Sequence, residues 1–281
     1  MTIRRVLLFL FLVGLALLAW SWRTTVANPV VRQTAVALPD WPQGQPPVRA
    51  LLISDIHVAG PDMPPSRLER IVAQINALRP DVVLIAGDFV SDKRVATRTY
   101  PLGEAAAPLA GLRPRLGTYA VLGNHDHWRD AADARAALSA AGVTVLDNSA
   151  AQAGPLVVGG LDDDYTGHDD MRRTLAAMRR LRGARVLLSH SPDPFATLAD
   201  DVGLMLAGHT HCGQIRLPLI GAVSTMSSYG ERYACGRVDE RGHTLIVGAG
   251  LGTSILPLRL GAVPDLWLVT IGPEREPRTA R

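Results

Sequence analysis

The chain has few aromatic residues, few cysteines and little net charge. Phe, Trp and Tyr together make up only 5% of its 281 residues, and the formal net charge is +3. A nucleic-acid interface would need a basic, aromatic-rich groove, so neither value favours nucleic acid as a partner. No internal repeat or long low-complexity segment interrupts the chain. Its hydrophobic content of 47% suits a globular protein with a sizeable core.

Only two cysteines occur, Cys212 and Cys235. Two thiols are too few to decide between a disulfide and a metal ligand. An exported domain would allow the disulfide. The position of Cys212 beside His211 would instead allow a soft ligand. The sequence leaves both interpretations open.

A long apolar run begins almost at the first residue. Positions 6–22 are almost wholly apolar, with Arg4 and Arg5 before them and Arg23 after them. About 17 residues is the lower limit for a membrane-spanning helix, and two tryptophans near its end suit the membrane interface. A cleaved secretory signal is the alternative. We favour an uncleaved, single-pass anchor in a bacterial inner (cytoplasmic) membrane. The arginines before the run predict that the remaining chain faces the periplasm or exterior.

Short apolar runs that end in polar residues recur five times along the chain. Each run is typical of a buried strand, and after each an Asp, Asn or His follows two residues later. A parallel α/β sheet places the carboxyl ends of its strands at one edge, where ligands bind. The runs and their polar ends are Val48–Ile53 with Asp55 and His57, Val82–Ala86 with Asp88, Tyr119–Leu122 with Asn124, His125 and Asp126, Arg185–Leu188 with His190, and Leu204–Ala207 with His209 and His211.

Seven of these polar residues form a set of metal-ligand types. Two carboxylates, one carboxamide and four imidazoles are too many for one tetrahedral structural site. They suit two divalent ions that share a bridging carboxylate. The absence of thiolates favours Mn, Fe or Zn ions over a zinc-finger role. The set comprises Asp55, His57, Asp88, Asn124, His190, His209 and His211.

The order of these motifs resembles the calcineurin-like metallophosphoesterase family over about residues 48–211. Segments farther along resemble its YkuE/YaeI-like branch of bacterial membrane-associated or exported proteins. The family motifs are Asp55-Ile56-His57, Gly87-Asp88, Gly123-Asn124-His125-Asp126, Ser189-His190 and Gly208-His209-Thr210-His211. The branch segments are Gly213 to Pro218, Tyr229 to Tyr233, Gly250 to Ser254 and Leu256 to Arg259.

The resemblance implies an α/β fold, a four-layer αββα sandwich of the metallo-dependent phosphatase type, preceded by the N-terminal helix. It also implies that His125 stabilises phosphoryl oxygens or protonates the leaving group, oriented by Asp126, while a metal-bridging hydroxide attacks phosphorus. Asp88 would bridge the two ions. The implied ligands are Asp55, His57, Asp88 and His211 for one ion, and Asn124, His190 and His209 for the other.

The remaining candidates have less specific signals. Arg216 and Arg232 are the candidates for binding the non-reacting part of a phosphate ester. His127 is expected at an exposed helix entry, with a substrate contact as the alternative. The run of three aspartates at 162–164 is expected to cap the following helix, with a further ion site that includes His168 as the alternative. The loop containing Gly250 and Gly252 allows either an anion-binding turn or a purely structural one.

We expect a signal anchor over residues 1–27, a linker with an edge strand over 28–47, a phosphoesterase domain over 48–273, and a disordered tail over 274–281. Ser66 and Glu69 predict a capping box at the first helix of the domain. A later helix is expected from Asp130 to Ala141. The strands after Gly208 are expected to form a second, more antiparallel layer.

The expected function is di-metal-dependent hydrolysis of a phosphodiester or pyrophosphate, with a lipid-linked or cell-envelope substrate as the sharper hypothesis. One alternative is a catalytically silent metal-binding scaffold of the same fold. Another is an enzyme of the UDP-diacylglucosamine pyrophosphatase type from lipid A synthesis, which would place the active face in the cytoplasm. A nuclease is disfavoured by composition. The sequence does not indicate an oligomeric state.

Overall fold

Two six-stranded sheets pack against each other in the computed structural model, which describes residues 3–91, 93 and 95–274. Residues 275–281 of the tail predicted over 274–281 lie outside these residues, with Arg275, Arg278 and Arg281. The helices are α1 (Ile3–Val26), α2 (Pro65–Ala77), α3 (Leu102–Ala106), α4 (Asn124–Ala140) and α5 (Met171–Arg179). Short 3₁₀ helices span Ala107–Gly111, Asp193–Thr197, His211–Gly213 and Gly230–Tyr233.

The strands divide between the two large sheets and two small hairpin-like pairs. The strands are β1 (Val30–Ala37), β2 (Val48–Ser54), β3 (Ala59–Gly60), β4 (Val82–Ala86), β5 (Arg98–Thr99), β6 (Thr118–Val121), β7 (Thr144–Val145), β8 (Ser149–Ala153), β9 (Leu156–Gly160), β10 (Ala184–Leu188), β11 (Leu204–Ala207), β12 (Arg216–Leu217), β13 (Gly221–Ala222), β14 (Gly236–Glu240), β15 (His243–Val247) and β16 (Asp265–Gly272). The first large sheet has the order β1-β16-β2-β4-β6-β7, and the second has the order β14-β15-β11-β10-β9-β8.

Successive side chains of the central strands point to opposite faces of the sheet, and this separates the apolar residues into distinct core layers. In β2, Ala50 and Leu52 belong to the apolar core between the two sheets, whereas Leu51 and Ile53 belong to a second core beneath α2, α3 and α4. A third core lies between the second sheet and α5. The strands are buried on both faces, which explains why each reads as a continuous apolar run. These cores confirm the predicted αββα sandwich.

Helix α1 projects largely into solvent. Its apolar side chains are exposed along most of its length, and only Ser21 and Thr25 are buried, near its end. The helix is long and apolar enough to cross a membrane, by length and composition alone. After it, β1 pairs in parallel with β16 at the edge of the first sheet, so the predicted edge strand is present.

One local expectation is wrong. Helix α2 begins at Pro65 without a side-chain cap, so Ser66 and Glu69 do not form a capping box there. Proline at the first helical position already has the φ angle of a helix and lacks an N–H that needs a partner.

The helix expected from Asp130 to Ala141 is present as the second part of α4, which begins earlier, at Asn124. The backbone is non-helical at Asp130, with φ −176° and ψ 98°, and the Asp130 carboxylate accepts the N–H of Asp133 at 3.0 Å. Asp130 therefore caps the helical stretch that follows the kink.

The strands after Gly208 do not form a separate antiparallel layer as expected. β15 continues the second sheet in parallel with β11, and only β14 joins it in the antiparallel direction. β16 returns to the first sheet, between β1 and β2. Local patterns do not reveal this return, because strand order depends on contacts between distant segments.

Candidate metal centre

The seven predicted metal ligands come together where five strands end. β2, β4 and β6 bring their carboxyl ends from the first sheet, and β10 and β11 bring theirs from the second. All seven side chains are buried, so their polar atoms depend on one another or on a bound ion for partners. The buried set is Asp55, His57, Asp88, Asn124, His190, His209 and His211.

One group of donors surrounds His57. Its Nε2 atom is 3.1 Å from Nε2 of His211 and 3.6 Å from Oδ2 of Asp88. Asp55 Oδ1 lies 3.5 Å from His211 Nε2. The Nδ1 atom of His57 contacts the carbonyl of Val90 at 3.2 Å. This contact directs the other ring nitrogen toward the cluster, as metal-ligating histidines require.

A second group surrounds His190, on the far side of Asp88. The His190 Nε2 atom is 3.2 Å from Asp88 Oδ2, 3.0 Å from Asn124 Oδ1 and 3.1 Å from His209 Nδ1. Its Nδ1 atom contacts the Ala86 carbonyl at 2.8 Å. Asp88 therefore lies between the two histidine groups, in the position that a bridging carboxylate would occupy.

Five of the seven predicted ligands have left-handed backbone conformations. Non-glycine residues rarely adopt positive φ angles, because the side chain crowds the backbone there. Such strain persists where the surrounding structure enforces it, and it is concentrated at functional sites. The five are Asp55 (φ 47°), His57 (φ 48°), Asp88 (φ 53°), His209 (φ 69°) and His211 (φ 51°).

Burial sets the charge states within the cluster. It lowers the pKa of His57 and of His211 well below the ordinary value, and it lowers the pKa of His209 to about 3. Burial alone would raise the pKa of Asp88, but the adjacent His190 outweighs it and holds that pKa well below its usual value. Neutral imidazoles beside an ionised carboxylate are the form in which these groups bind a metal.

The pKa values of Asp55 and His190 are raised instead of lowered. Burial raises the pKa of Asp55 to about 6. Burial would lower the pKa of His190, but Asp88 outweighs that effect and raises it well above the ordinary value. A cation at the centre would favour ionised Asp55 and neutral His190, because opposite charges attract and like charges repel. Within each of three overlapping triplets the ligand atoms lie within 4.8 Å of one another, which fits divalent ions. The triplets are Asp55, His57 and His211; Asp55, Asp88 and His190; and His57, Asp88 and His125.

His125 lies at the edge of this cluster. Its backbone N–H donates to Asp88 Oδ1 at 2.9 Å, and its ring Nε2 is 4.0 Å from Asp88 Oδ2. The ring packs edge-on against His57 and against Trp128, with centroids 4.8 and 4.9 Å away. His125 also lines a cavity of about 380 Å³ that opens beside the cluster. It is thus placed to reach a molecule bound in the cavity.

Asp126 has a different setting from the one expected. Its carboxylate accepts hydrogen bonds from the backbone N–H groups of Gly123, Val90 and Phe89 at 3.0, 3.1 and 3.4 Å. Burial raises the pKa of Asp126 to about 7. These bonds tie the loop after Asp88 to the start of α4. We therefore propose that Asp126 positions the backbone around Asp88 and His125 instead of acting as a catalytic residue.

Neither Arg216 nor Arg232 lines the cavity. Arg216 pairs with Glu231 at 3.0 Å, and Arg232 pairs with Glu240 at 2.6 Å. Their predicted role in substrate binding therefore has no support in the geometry. The sequence around a single arginine does not indicate whether the arginine binds substrate or pairs with a nearby glutamate.

Two other expectations near the site are corrected. His127 lies in the first turn of α4, as expected, but it is not exposed. Its ring bonds to Asp162 at 2.8 Å and stacks on His168, with the ring centroids 4.0 Å apart. The run of aspartates does not cap the next helix. Asp170 does so, by accepting the N–H of Arg173 at 2.8 Å.

The two cysteines form a disulfide, which joins Cys212 beside the histidine motif to Cys235 before β14. The loop containing Gly250 and Gly252 is structural. A Cβ on Gly250 would lie 2.6 Å from Cβ of Asp55, so this loop packs directly on the ligand. The N–H of Gly252 donates to the Asp55 carbonyl at 2.8 Å and is therefore already used.

Sequence reasoning missed Arg259. Its guanidinium is fully buried and donates to the carbonyls of Ala249, Gly250 and Gly252 at 2.8, 3.2 and 2.5 Å. Burial lowers its pKa to about 10. It thereby holds the loop that packs on Asp55. The segment Leu256 to Arg259 is one of those that resemble the YkuE/YaeI-like branch. That resemblance does not indicate which groups Arg259 contacts.

A buried ion pair was also missed. Lys93, the only lysine in the sequence, donates to Asp62 at 2.7 Å and to Thr253 at 3.1 Å. Thr253 donates to the same carboxylate at 2.7 Å. This network joins the loop before α2 to the glycine loop. The rarity of lysine was the only signal in the sequence that could have drawn attention to it.

Taken together, the fold and the cluster define a class of protein, an αββα sandwich with metal ligands at its strand ends. A sequence profile described as calcineurin-like phosphoesterase matches residues 48–213, which is more than half of the chain. The chain belongs to the calcineurin-like phosphoesterase family. The resemblance predicted from the five motifs is therefore confirmed.

Known relatives include proteins from a vertebrate and from bacteria. The chain is 32% identical over 257 residues to "Transmembrane protein with metallophosphoesterase domain" of Danio rerio, covering 85% of this chain but 56% of that protein. It is 33% identical over 212 residues to "Uncharacterized metallophosphoesterase YkuE" of Bacillus subtilis (strain 168), covering 73% and 72%. It is 27% identical over 246 residues to "Phosphodiesterase YaeI" of Escherichia coli (strain K12), covering 80% and 82%. The chain therefore spans just over half the length of the zebrafish relative.

Proposed function

We propose that this protein hydrolyses phosphoester bonds with divalent metal ions held by the seven buried ligands. The observation that carries this proposal is the convergence of five strand ends on Asp88, with a histidine group on each side of it. The name of the YaeI relative, a phosphodiesterase, supports the same chemistry. Two ions are the proposed number, and Mn, Fe or Zn are the proposed metals.

The metals would act as Lewis acids on the phosphoryl oxygens and would lower the pKa of water at the site. The side chains of the chain perform the other tasks. His57, His209 and His211 are held neutral by burial, so their ring nitrogens can face the cations. His125 lines the cavity and can hold a phosphoryl oxygen or deliver a proton to the leaving group. Asp126 keeps the backbone of this region in place.

We further propose that α1 anchors the domain in a bacterial inner membrane as a single-pass span, with the domain on the periplasmic or outer side. The length and apolar composition of α1 support the anchor, as does the transmembrane name of the zebrafish relative. The Cys212–Cys235 disulfide supports the outer side, because disulfides persist in oxidising compartments. The same disulfide argues against a cytoplasmic enzyme of lipid A synthesis.

The first experiment measures hydrolysis of bis-p-nitrophenyl phosphate and p-nitrophenyl phosphate by the full chain in detergent. The protein is stripped of metal and then resupplied with Mn, Zn or Fe. We expect metal-dependent turnover that favours the diester. A folded protein that binds two ions but turns over neither ester with any metal would contradict the proposal and favour a silent scaffold.

A further inference from the structure

Two uncharged segments form one side of the metal cavity. Residues 217–230 and 244–258 contain no Asp, Glu, Lys or Arg. The first segment includes the hairpin of β12 and β13, whose tip carries Leu219, fully exposed, and Ile220, 74% exposed. Val223, 64% exposed, and Ile255, 65% exposed, belong both to these segments and to the cavity lining. Surface apolar patches of this kind mark sites of interaction with proteins or membranes.

Gln214 and Ile215, just before the first segment, connect it to the second. The Ile215 carbonyl accepts the N–H of Val223, within the first segment, at 3.0 Å. The side chain of Gln214 accepts the N–H of Ser254 at 3.0 Å and donates to the Leu256 carbonyl at 3.0 Å. Ile215 forms bridges with Leu260 and Gly261. The hairpin and the loop that contains Ile255 are therefore held side by side. We call Leu219, Ile220, Val223, Ile255 and Leu256 the apolar rim.

The same surface adjoins the end of α1. The backbone N–H of Arg259, just after the second uncharged segment, donates to the carbonyl of Ser21 at 3.4 Å. Ser21 and Thr25 are the buried residues of α1, so the helix rests on the domain beside the apolar rim. The guanidinium of Arg67 also donates to the Ala27 carbonyl, at 2.9 Å. A membrane that contains α1 therefore begins next to the rim.

We propose that the apolar rim seats in the surface of the same bilayer that holds α1, so that the metal cavity opens at the membrane. The occupant of the rim is lipid. The continuity of the rim with α1 favours lipid over a soluble partner protein. It follows that the substrate is an amphiphile, with its phosphoester in the cavity and its apolar part in the bilayer. This inference rests on the proposed anchor and on the proposed hydrolysis. It adds that the metal cavity faces the membrane surface.

The seating is tested with an environment-sensitive fluorophore on single introduced cysteines in the full chain, reconstituted in phosphatidylcholine–phosphatidylglycerol vesicles. Both native cysteines are paired, so labelling is specific under non-reducing conditions. Leu219→Cys reports on the rim, and Ile255→Cys is a second rim position should the first variant fold poorly. Leu12→Cys reports on α1. Asp200→Cys is the control, because Asp200 is fully exposed before β11, at the strand end opposite the metal centre.

We expect blue-shifted emission from the fluorophore at positions 219, 255 and 12 but not at position 200. When brominated lipids replace part of the phosphatidylcholine, the same three positions should lose intensity and position 200 should not. Loss of intensity at position 12 with none at either rim position would overturn the seating while leaving the anchor in place. No loss at any position would overturn both.

The substrate class is tested separately by comparing p-nitrophenyl hexadecyl phosphate with p-nitrophenyl methyl phosphate in the same vesicles. Both esters have the same leaving group, so they differ only in the apolar chain. We expect a kcat/KM at least tenfold higher for the hexadecyl ester. A protein that hydrolyses bis-p-nitrophenyl phosphate but treats these two esters alike would keep its proposed function and lose this inference.

Discussion

His125 and Asp88 are neighbours with different surroundings. Asp88 is buried between His57 and His190, whereas the ring of His125 is 13% exposed and faces the cavity. The backbone N–H of His125 donates a hydrogen bond to Asp88 Oδ1, and the ring Nε2 lies 4.0 Å from Asp88 Oδ2. Removing each side chain should therefore have a different consequence for metal binding.

We predict that His125→Ala lowers kcat for bis-p-nitrophenyl phosphate by roughly 10²–10⁴-fold, the usual contribution of a positioned acid or base. The metal content should not change, because the backbone N–H that supports Asp88 is retained. Steady-state kinetics and elemental analysis of the purified protein measure the two quantities. Asp88→Asn is the comparison and should lose metal as well as activity. Near-native kcat in His125→Ala would refute the assignment.

Lys93 allows a second prediction at the residue scale. Its ammonium group is fully buried with Asp62, and removing one partner of a buried pair leaves an uncompensated charge. We expect Lys93→Met to lower the free energy of unfolding by about 3–5 kcal/mol. Urea denaturation of the full chain in detergent measures this loss.

The matched control for Lys93 is Arg98→Met. Arg98 pairs with Glu104 at 3.3 Å, but both side chains are about half exposed or more. Solvent screens such a pair, so its loss should cost no more than about 1 kcal/mol. An equal decrease in the free energy of unfolding in Lys93→Met and Arg98→Met would contradict the prediction that burial makes the Lys93–Asp62 pair the costlier one to break.

At the scale of elements, the disulfide joins the segment after β11 to the segment before β14. Cys212 immediately follows His211, and Cys235 is 23 residues farther along the chain. The link therefore closes a loop that contains the β12–β13 hairpin. Closing a loop of this length limits the unfolded chain more than the folded one.

We predict that Cys212→Ser with Cys235→Ser lowers the stability of the protein by roughly 3 kcal/mol, from loop-closure entropy. For a domain of this size, that loss corresponds to a fall in Tm of roughly 6–12 °C. Calorimetry with and without a reductant measures it, and the reductant should have no further effect on the double variant. An unchanged Tm in the reduced wild type would contradict the prediction.

At the scale of the whole molecule, α1 is the proposed anchor that determines where the domain works. Its exposed apolar surface is unsuited to water, and its end is fixed on the domain through Ser21 and Arg259. Anchor and catalytic domain are thus parts of one structure, with the cavity rim beside the helix end. Deleting the helix should therefore change both location and access to membrane substrates.

We predict that the full chain stays in the membrane fraction after carbonate extraction and that residues 28–281 do not. An alkaline phosphatase fused after Arg281 should be active in bacterial cells, because the domain is proposed to lie outside the cytoplasm. A fusion to a fluorescent protein that fails to mature in the periplasm is the complementary control. An inactive phosphatase with a bright fluorescent fusion would reverse the proposed orientation.

Much of this site could be predicted because its signals are local. A strand buried on both faces must be apolar, and ligands at the strand ends must follow it directly. The five motifs therefore indicated the seven proposed ligands before any contact was known. Contacts between distant segments gave no such signal. His57 and His211 are 154 residues apart, and only the fold brings their Nε2 atoms to 3.1 Å.

The sequence by itself determined the apolar N-terminal helix, the buried strands and the polar residues that follow them, since each is recorded in a short apolar or polar pattern. Its motifs also carried the resemblance to the family and, through that resemblance, the expected sandwich. The assignment of the seven residues as metal ligands is a prediction. The tertiary structure alone decided the return of β16 to the first sheet, the pairing of Arg216 with Glu231, and the placement of Asp126 on backbone amides. It also placed Arg259 beneath the glycine loop. The physical reason is that a polar side chain takes the partner that folding brings within hydrogen-bond distance. A sequence pattern records the side chain but not that partner.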